Sequence, residues 1–248
     1  MFPVLFHFRS VTLYTYGFFV ALAVLISYFL ARSRAKTLGL DPSVAADFTF
    51  YLFAVGVIGA RLFYVIQHHE DYSGNWWGAL SIREGGLVWY GGFIVAAIVG
   101  LSTAVWKRWP MLTWCDWLAP LLPLAHGIGR LGCFFNGCCY GRVTRSGLGV
   151  IFPGEDVPRF PSQLFEALGL FMISGFLFLL TGKKRREGEL FIAYLMSYSV
   201  FRFFMEFLRG DQNVLWRLTP PQWTSVLLFF GAIFLFFMIR HVPKQKAP

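Results

Sequence analysis

Seven long apolar segments, separated by short polar connections, make up most of the chain. Each segment is close to the ~20 residues that an α-helix needs to cross the hydrocarbon core of a bilayer. The mean hydropathy of +0.57 agrees with this reading. The pattern predicts an all-α integral membrane protein, a single polytopic domain with seven transmembrane helices. The predicted spans are 12–31, 46–66, 87–106, 113–135, 163–181, 189–208 and 222–240.

Basic residues gather in the connections after the first, third, fifth and seventh segments. Lysine and arginine favour the cytoplasmic side of a membrane. We therefore expect the N-terminus outside and the C-terminus in the cytoplasm, with a small outer loop region at 136–162. These flanks account for the net charge of +9, so we do not expect a nucleic-acid partner. The flanking residues are Arg32, Arg34, Lys36, Lys107, Arg108, Lys183, Lys184, Arg185, Arg186, Arg240, Lys244 and Lys246.

The fourth segment is interrupted by two prolines, Pro120 and Pro123, and two glycines, Gly127 and Gly129. Membrane helices tolerate such residues where neighbouring groups satisfy the freed backbone. We predict a kinked helix.

The stretch GRLGCFFNGCCYGR, at 129–142, is unusually polar for the end of an apolar segment. A metal or redox site, a helix-packing corner and a pocket for an anionic head group all compete to explain it. Cys133, Cys138 and Cys139 lack the paired C-x-x-C spacing or histidine partners of zinc sites. We therefore expect no metal ion and no cofactor, with the cysteines acting as small buried side chains.

Charged residues occur inside the predicted spans, where each costs about 2.5–3.5 kcal/mol on insertion scales. Arg202, Glu206 and Arg209 are spaced i, i+4 and i+7, which predicts one shared helix face. An ion pair between helices is one explanation. However, two arginines and one glutamate leave a surplus positive charge, and Arg130 and Arg61 add to it. One guanidinium group can bind two phosphate oxygens at once, so we favour a phosphate-binding cavity.

Several other polar residues have both structural and functional explanations. Ser162 and Glu166 share a face at the start of the fifth span, and Ser162 is suited to capping that helix. Tyr16 and Tyr90 stand at span boundaries, where tyrosine is a common anchor. His126 lies one turn before Arg130. A lone histidine in an apolar helix is more often a hydrogen-bonded core residue than a catalyst.

The order of motifs resembles the bacterial phosphatidylglycerol–prolipoprotein diacylglyceryl transferase family along nearly the whole chain. The matching stretches are YTYG, GARLFY, YGGFIVAAIVG, CDWLAPLLPLAHGIGRLGCFFNGCCYGR, RFPSQLFE and FRFFMEFLR. The resemblance implies a multi-pass enzyme of the bacterial inner membrane, active as a monomer, with its site open to the outer leaflet. It would transfer the diacylglyceryl group of phosphatidylglycerol to the lipobox cysteine of a preprolipoprotein signal peptide and release glycerol 1-phosphate.

The resemblance also implies roles for individual residues. Arg130 and Arg202 would hold the phosphatidylglycerol head group, and Glu206 would orient Arg202. Tyr90, His126 and Glu206 are the candidates for a general base. The remaining predicted substrate-binding residues are Arg209, Tyr16, Asn136, Gly91, Gly92, Gly141, Glu166 and Arg61.

Three positions depart from the commonest family pattern. Tyr90 stands where the family usually has histidine, Cys133 where it has asparagine, and Cys138 where it has glutamate. We interpret the chain as a divergent branch of the family. Three alternatives stay open: a non-catalytic lipid-binding relative, an anion transporter that uses the same buried arginines, and a related transferase that uses another lipid donor or another acceptor thiol.

Overall fold

The structure is a computed structural model of the chain. By contacts the chain divides into two compact units, one formed by Met1–Ser27 with Cys115–Pro248 and the other by Tyr28–Trp114. The prediction of a single domain stays a prediction. The described residues are 2–8, 11–72, 74, 76–80, 86–183, 185–209, 216 and 218–241.

Seven helical stretches of the described chain are long and apolar enough to cross a membrane, which confirms the predicted number of spans. The sidedness of the termini stays a prediction, and Lys184, Lys244 and Lys246 lie outside the described residues. The seven stretches are Thr15–Leu38, Pro42–Gln67, Trp89–Trp106, Met111–Asn136, Ser162–Leu180, Glu189–Leu208 and Pro220–His241.

A short β-hairpin precedes the first span, which the all-α prediction did not include. Strands β1 (Val4–Phe8) and β2 (Val11–Tyr14) pair antiparallel, with a bulge in β1. Helix α1 (Thr15–Ala35) follows at once. The predicted span began at 12, whereas the β-branched and aromatic residues of β2 favour an extended strand there.

The fourth span is broken, as predicted, but only at Pro120. Helix α4 (Met111–Leu118) ends there and helix α5 (Leu121–Asn136) begins. Proline cannot donate the helical hydrogen bond, and its ring collides with the preceding turn. The glycines further along α5 do not interrupt it. A Cβ at Gly127 would lie 2.6 Å from the Phe171 ring, so this glycine permits close helix packing.

Helices α6 (Ser162–Leu180), α7 (Glu189–Met205) and α8 (Pro220–His241) complete the first unit. Helix α6 packs against α5 and α7, and α7 packs against α8. One buried apolar cluster joins α6 and α7 to the break between α4 and α5 through Ala119, Ile173, Leu177 and Leu190.

Two charged side chains secure helix ends where α7 begins and α8 ends. The Asp116 carboxylate accepts hydrogen bonds from two backbone N–H groups at the start of α7, at 2.7 and 2.8 Å. The Arg186 guanidinium donates to two carbonyl oxygens at the end of α8, at 2.7 and 3.0 Å. Helix termini leave such groups without intrahelical partners. We call this part of the unit the capped end.

In the second unit, helices α2 (Pro42–Gln67) and α3 (Trp89–Trp106) pack together. Helix α2 begins with proline at its first turn, after Asp41, whose carboxylate accepts two backbone N–H bonds. This is the arrangement that best satisfies a helix N-terminus. Trp109 and Trp114 stack at 4.1 Å between ring centroids near the other end of the unit.

Candidate functional site

Glu166 is a buried carboxylate that bridges two arginines from different parts of the first unit. It lies one turn into α6 and is 3% exposed. Its Oε1 accepts from Arg209 Nη1 at 3.0 Å, and its Oε2 pairs with Arg130 Nε of α5. This burial explains why capping alone could not account for a glutamate at this position.

Glu206 forms the second buried ion pair. Its Oε2 lies 2.7 Å from Arg202 Nη2, and its side chain has no exposed surface. Its Oε1 accepts a hydrogen bond from Thr219 Oγ1 at 3.0 Å. The other terminal nitrogen of Arg202, Nη1, is buried and has no hydrogen-bond partner among the described residues. A buried guanidinium donor of this kind is available to a ligand.

We call these five side chains the arginine cluster: Arg130, Glu166, Arg202, Glu206 and Arg209. Three guanidinium groups and two carboxylates carry a formal net charge of +1. Glu166 joins Arg130 to Arg209, and the pair of Arg202 with Glu206 directly precedes Arg209 along the chain. A partly buried surplus of positive charge attracts an anion more strongly than the same charge in water.

Arg209 joins the cluster from outside the helix, which corrects the predicted helix face. Helix α7 ends at Met205, a short 3-10 turn covers Glu206–Leu208, and Arg209 is extended with φ −97°. The i, i+4 pair of Arg202 and Glu206 holds as predicted. Arg209 turns instead to Glu166.

Gly141 lies against the backbone of the residue that precedes Arg209. Its N–H donates to the carbonyl of Phe160 at 2.8 Å, and the N–H of Arg142 donates to the carbonyl of Leu208 at 3.1 Å. A Cβ at Gly141 would overlap the Leu208 carbonyl oxygen. Only glycine allows this crossing of two backbones, which positions the residue that precedes Arg209.

Three cysteines come together beside the cluster. The sulfur atoms of Cys133, Cys138 and Cys139 all lie within 4.8 Å of one another. Ser162 does not cap its own helix, contrary to one prediction; its hydroxyl donates to the Cys139 carbonyl at 3.1 Å. Gln163 donates to the Cys138 carbonyl at 2.7 Å. The sequence spacing did not reveal this thiol cluster, because the turn after α5 brings the sulfurs together.

The charge around this thiol cluster is positive. Hydrogen bonds from Cys133 and Cys138, together with the nearby guanidinium groups of Arg130 and Arg209, lower the pKa of the Cys139 thiol.

A family model described as "Prolipoprotein diacylglyceryl transferase" matches residues 3–238 of the chain. The chain belongs to this family. A phosphatidylglycerol–prolipoprotein diacylglyceryl transferase 2 from Clostridium perfringens is 31% identical over 232 residues, covering 90% of each chain. A phosphatidylglycerol–prolipoprotein diacylglyceryl transferase from Bordetella avium is 35% identical over 248 residues, covering 94% of this chain and 93% of its own. One from Geobacter sulfurreducens is 34% identical over 239 residues.

Three other predicted site residues of this diacylglyceryl transferase family member lie in the first unit. Tyr16, near the start of α1, is 41% exposed and lies close to Gly132 of α5. Asn136 is the last residue of α5, beside the thiol cluster. His126 is half-buried, one turn before Arg130, with its ring 6.1 Å from that of Tyr198.

Arg61 belongs to the second unit and has protein partners. Its guanidinium donates to the carbonyl oxygens of Ala79, Gly78 and Gly86 at 2.7–3.1 Å, and to the Tyr72 hydroxyl at 3.3 Å. These bonds fasten the connection between α2 and α3. The structure therefore gives Arg61 a positioning role within its unit, and its predicted contact with phosphate stays a prediction.

Gly91 and Gly92 serve the packing of α3 on α2 in the second unit. A Cβ at Gly91 would overlap the Phe63 side chain, and one at Gly92 would lie 2.7 Å from the Gly56 carbonyl oxygen. Tyr90, just before them, is 66% exposed. The predicted roles of these three residues toward substrate stay predictions.

An apolar cavity of about 210 Å³ lies between α7 and α8. Two of its lining residues, Phe203 and Phe204, directly follow Arg202 in the chain. The cavity is lined by Ser199, Val200, Phe203, Phe204, Ser225, Val226, Phe229 and Phe230.

Sequence reasoning missed Gln163 and Thr219 as members of the site. A glutamine at the start of an apolar segment was the available sequence signal. In the structure Gln163 is fully buried, and buried polar groups normally form hydrogen bonds. Thr219 lies 13 residues from Glu206 along the chain. No local pattern connects those two residues.

Proposed function

We propose that this chain transfers the diacylglyceryl group of phosphatidylglycerol to the thiol of a lipobox cysteine in a preprolipoprotein. The by-product would be glycerol 1-phosphate. The observation that carries this proposal is the surplus positive charge of the arginine cluster, together with Arg202 Nη1, which has no hydrogen-bond partner in the described part of the chain. The names of the similar proteins describe the same reaction.

In this proposal Arg130 and Arg202 bind the phosphate of the lipid. Glu206 pairs with Nη2 of Arg202 and so fixes the position of the guanidinium group. Nη1 would then bind the ligand without a rearrangement of the side chain. Glu166 holds Arg130 and Arg209 in the same way. Fixed donors that face the departing phosphate stabilise the charge that grows on it in the transition state.

The acyl chains of the lipid need an apolar surface near the phosphate. The cavity between α7 and α8 is lined by Phe203 and Phe204, the two residues that follow Arg202 in the chain, and its lining is almost entirely apolar. We assign one acyl chain to this cavity. An apolar surface there would keep the part of the chain nearest the head group away from water and polar side chains.

The reaction also needs the acceptor thiol without its proton, and the pKa of a free cysteine thiol is about 8.5. Among the candidate bases, Glu206 is the least suited, because one of its oxygens forms an ion pair with Arg202 and the other accepts a hydrogen bond from Thr219. His126 lies in α5 one turn before Arg130, with its ring 6.1 Å from the ring of Tyr198. Tyr90 belongs to the second unit.

The protein is a multi-pass membrane protein. We infer that it lies in the bacterial cytoplasmic membrane as a monomer, with its N-terminus outside and the arginine cluster open toward the outer leaflet. The distribution of lysine and arginine in the connections supports this orientation. Lipid and signal peptide would then both enter from within the membrane.

A transfer assay with purified protein tests the proposal. The protein is mixed with phosphatidylglycerol and a fluorescent lipobox peptide, and modification is followed as a mobility shift. We expect a shift with the wild type and none with Arg130→Ala. Full transfer by a folded Arg130→Ala protein would contradict the phosphate role. Lipid binding without transfer would favour a non-catalytic relative, and flux of a labelled anion across proteoliposomes would favour a transporter.

A further inference from the structure

The three clustered sulfur atoms have the spacing of a nearly formed metal site. Zinc–sulfur bonds of about 2.3 Å at tetrahedral angles separate the sulfur atoms by about 3.8 Å. The sulfurs of Cys133, Cys138 and Cys139 already lie within 4.8 Å of one another. All three cysteines are free thiols rather than disulfides.

The backbone holds this cluster in place from several directions. Both the N–H and the sulfur of Cys138 are directed at the Cys133 carbonyl, at 3.1 and 3.7 Å. The fully buried Ser162 and Gln163 bind the carbonyls of Cys139 and Cys138. Cys139 itself has φ +62°, which few residues other than glycine adopt. Simple packing of small side chains does not require a strained cysteine fixed by buried polar partners.

The surroundings suit an anionic metal centre. Three thiolates with a zinc ion carry a net charge of −1, and with a cuprous ion −2. Arg130, three residues before Cys133 in the chain, and Arg209 both pair with Glu166, and the arginine cluster has a surplus charge of +1. Thiolate ligands select soft ions such as zinc and copper(I) over magnesium or calcium.

We propose that Cys133, Cys138 and Cys139 bind one thiophilic metal ion, zinc or copper(I), and leave a further coordination position open for the acceptor thiol. Three protein ligands and one open position are the arrangement of catalytic rather than structural zinc sites. Cys139 is exposed and Cys138 half-buried, so the open position is accessible from outside the protein.

The second part of this proposal, the binding of the acceptor thiol, rests on the proposed function. A thiol that coordinates a metal ion loses its proton outright. The bound sulfur then uses a lone pair to form the S–C bond to the glyceryl carbon. The C–O bond to phosphate breaks, and its electron pair leaves with the glycerol phosphate, which can take up the thiol proton. The metal ion is neither oxidised nor reduced in this step.

Metal binding by the purified full-length protein tests the site without any measurement of activity. The reduced, metal-free protein is titrated with Co²⁺ as a spectroscopic probe, and separately with Zn²⁺ and Cu⁺ against chromophoric chelators. We expect one equivalent of Co²⁺ to produce a sulfur-to-metal charge-transfer band. This band should be lost in Cys133→Ser, Cys138→Ser and Cys139→Ser. Cys115→Ser is the matched control, because Cys115 lies in α4 outside the cluster, and it should retain the band.

Two results of that experiment would overturn the site. One is failure of all three ions to bind at one equivalent to the wild type. The other is a band that survives the cluster substitutions or disappears in Cys115→Ser. A count of two rather than four reactive thiols in the denatured protein as isolated would assign the cluster to a disulfide instead.

A lipobox peptide then tests the open position. We expect the Co²⁺ spectrum to shift when the cysteine peptide is added and to stay unchanged with a peptide in which that cysteine is serine. The same preparations are assayed for transfer. Full transfer by metal-free protein would overturn the acceptor role and leave the proposed function standing. Metal binding by a protein that transfers no lipid would keep the site and refute the proposed function.

Discussion

The principal buried charges of the first unit have different partners at its two ends. At the capped end, Asp116 and Arg186 bind the free backbone groups of helix termini. At the other end, the arginines and glutamates of the arginine cluster bind one another, and among the described residues Nη1 of Arg202 has no hydrogen-bond partner. Charged side chains that bind the free N–H and C=O groups of helix termini stabilise the fold. Arginines that outnumber the carboxylates paired with them leave a net positive charge, which suits an anionic ligand.

The energies of the two arrangements support this distinction. A side chain that caps a helix typically contributes about 1 kcal/mol to stability, which is enough to explain its presence. A buried ion pair contributes little or nothing net, because desolvation offsets the attraction between its members. Stability therefore explains Asp116 and does not explain the pairing of Glu166 with two arginines.

The largest expected effect is on catalysis, and it separates two arginines of the same unit. Arg202→Ala should reduce the transfer rate about 10²–10³-fold, the usual cost of removing one fixed donor from a developing anion. Arg186→Ala at the capped end should leave the transfer rate within twofold while lowering the melting temperature. Both are measured with the lipid and lipobox peptide in the same detergent. Equal losses of transfer in the two variants would erase the distinction.

The next effect is on stability at the arginine cluster. Glu166→Gln should destabilise the fold by about 3 kcal/mol, because two buried guanidinium groups lose their charged partner. The measurement is thermal unfolding in detergent, with Glu189→Gln at the capped end as the matched control. Glu189 pairs more loosely, at 3.9 Å from Arg240, and its loss should cost much less. A smaller effect at Glu166 than at Glu189 would contradict this prediction.

A smaller effect is expected for the cap itself. Asp116→Ala should destabilise the protein by about 1–2 kcal/mol through the loss of its hydrogen bonds to the start of α7. The transfer rate per folded molecule should not change. Unfolding curves and initial rates from one preparation test both statements. A rate loss like that of Arg202→Ala would mean that the capped end takes part in the chemistry.

The smallest effect concerns Glu155, in the connection between α5 and α6. The Tyr140 hydroxyl and the Arg159 guanidinium lower the pKa of the Glu155 carboxyl. Its contribution to stability is therefore present above the ordinary carboxyl pKa of 4.5 and is lost as pH falls through the lower folded value. Glu155→Gln should lower the melting temperature slightly at pH 7 and not at all in strong acid. A difference that grows toward acid would reverse the sign and refute the assignment.

Local patterns in the sequence determined the membrane spans and one of the three ion pairs of the arginine cluster. Apolar length alone locates seven helices, because a helix must satisfy its backbone internally to cross a bilayer. Pro120 alone locates the break in the fourth span. The pairing of Arg202 with Glu206 follows from their i, i+4 spacing on a regular helix.

Only the tertiary structure decided which distant groups meet. Glu166 binds Arg209 across 43 residues, and Asp116 binds the start of α7 across 72 and 75 residues. The turn after α5 brings three sulfurs together although their spacing matches no zinc motif. Helical periodicity relates residues within a few turns, whereas these contacts depend on how helices pack and where their ends fall. Arg209 shows the limit most clearly. It continues the sequence pattern of α7, yet it lies outside that helix, beside the close contact of Gly141 with Leu208, and pairs with Glu166.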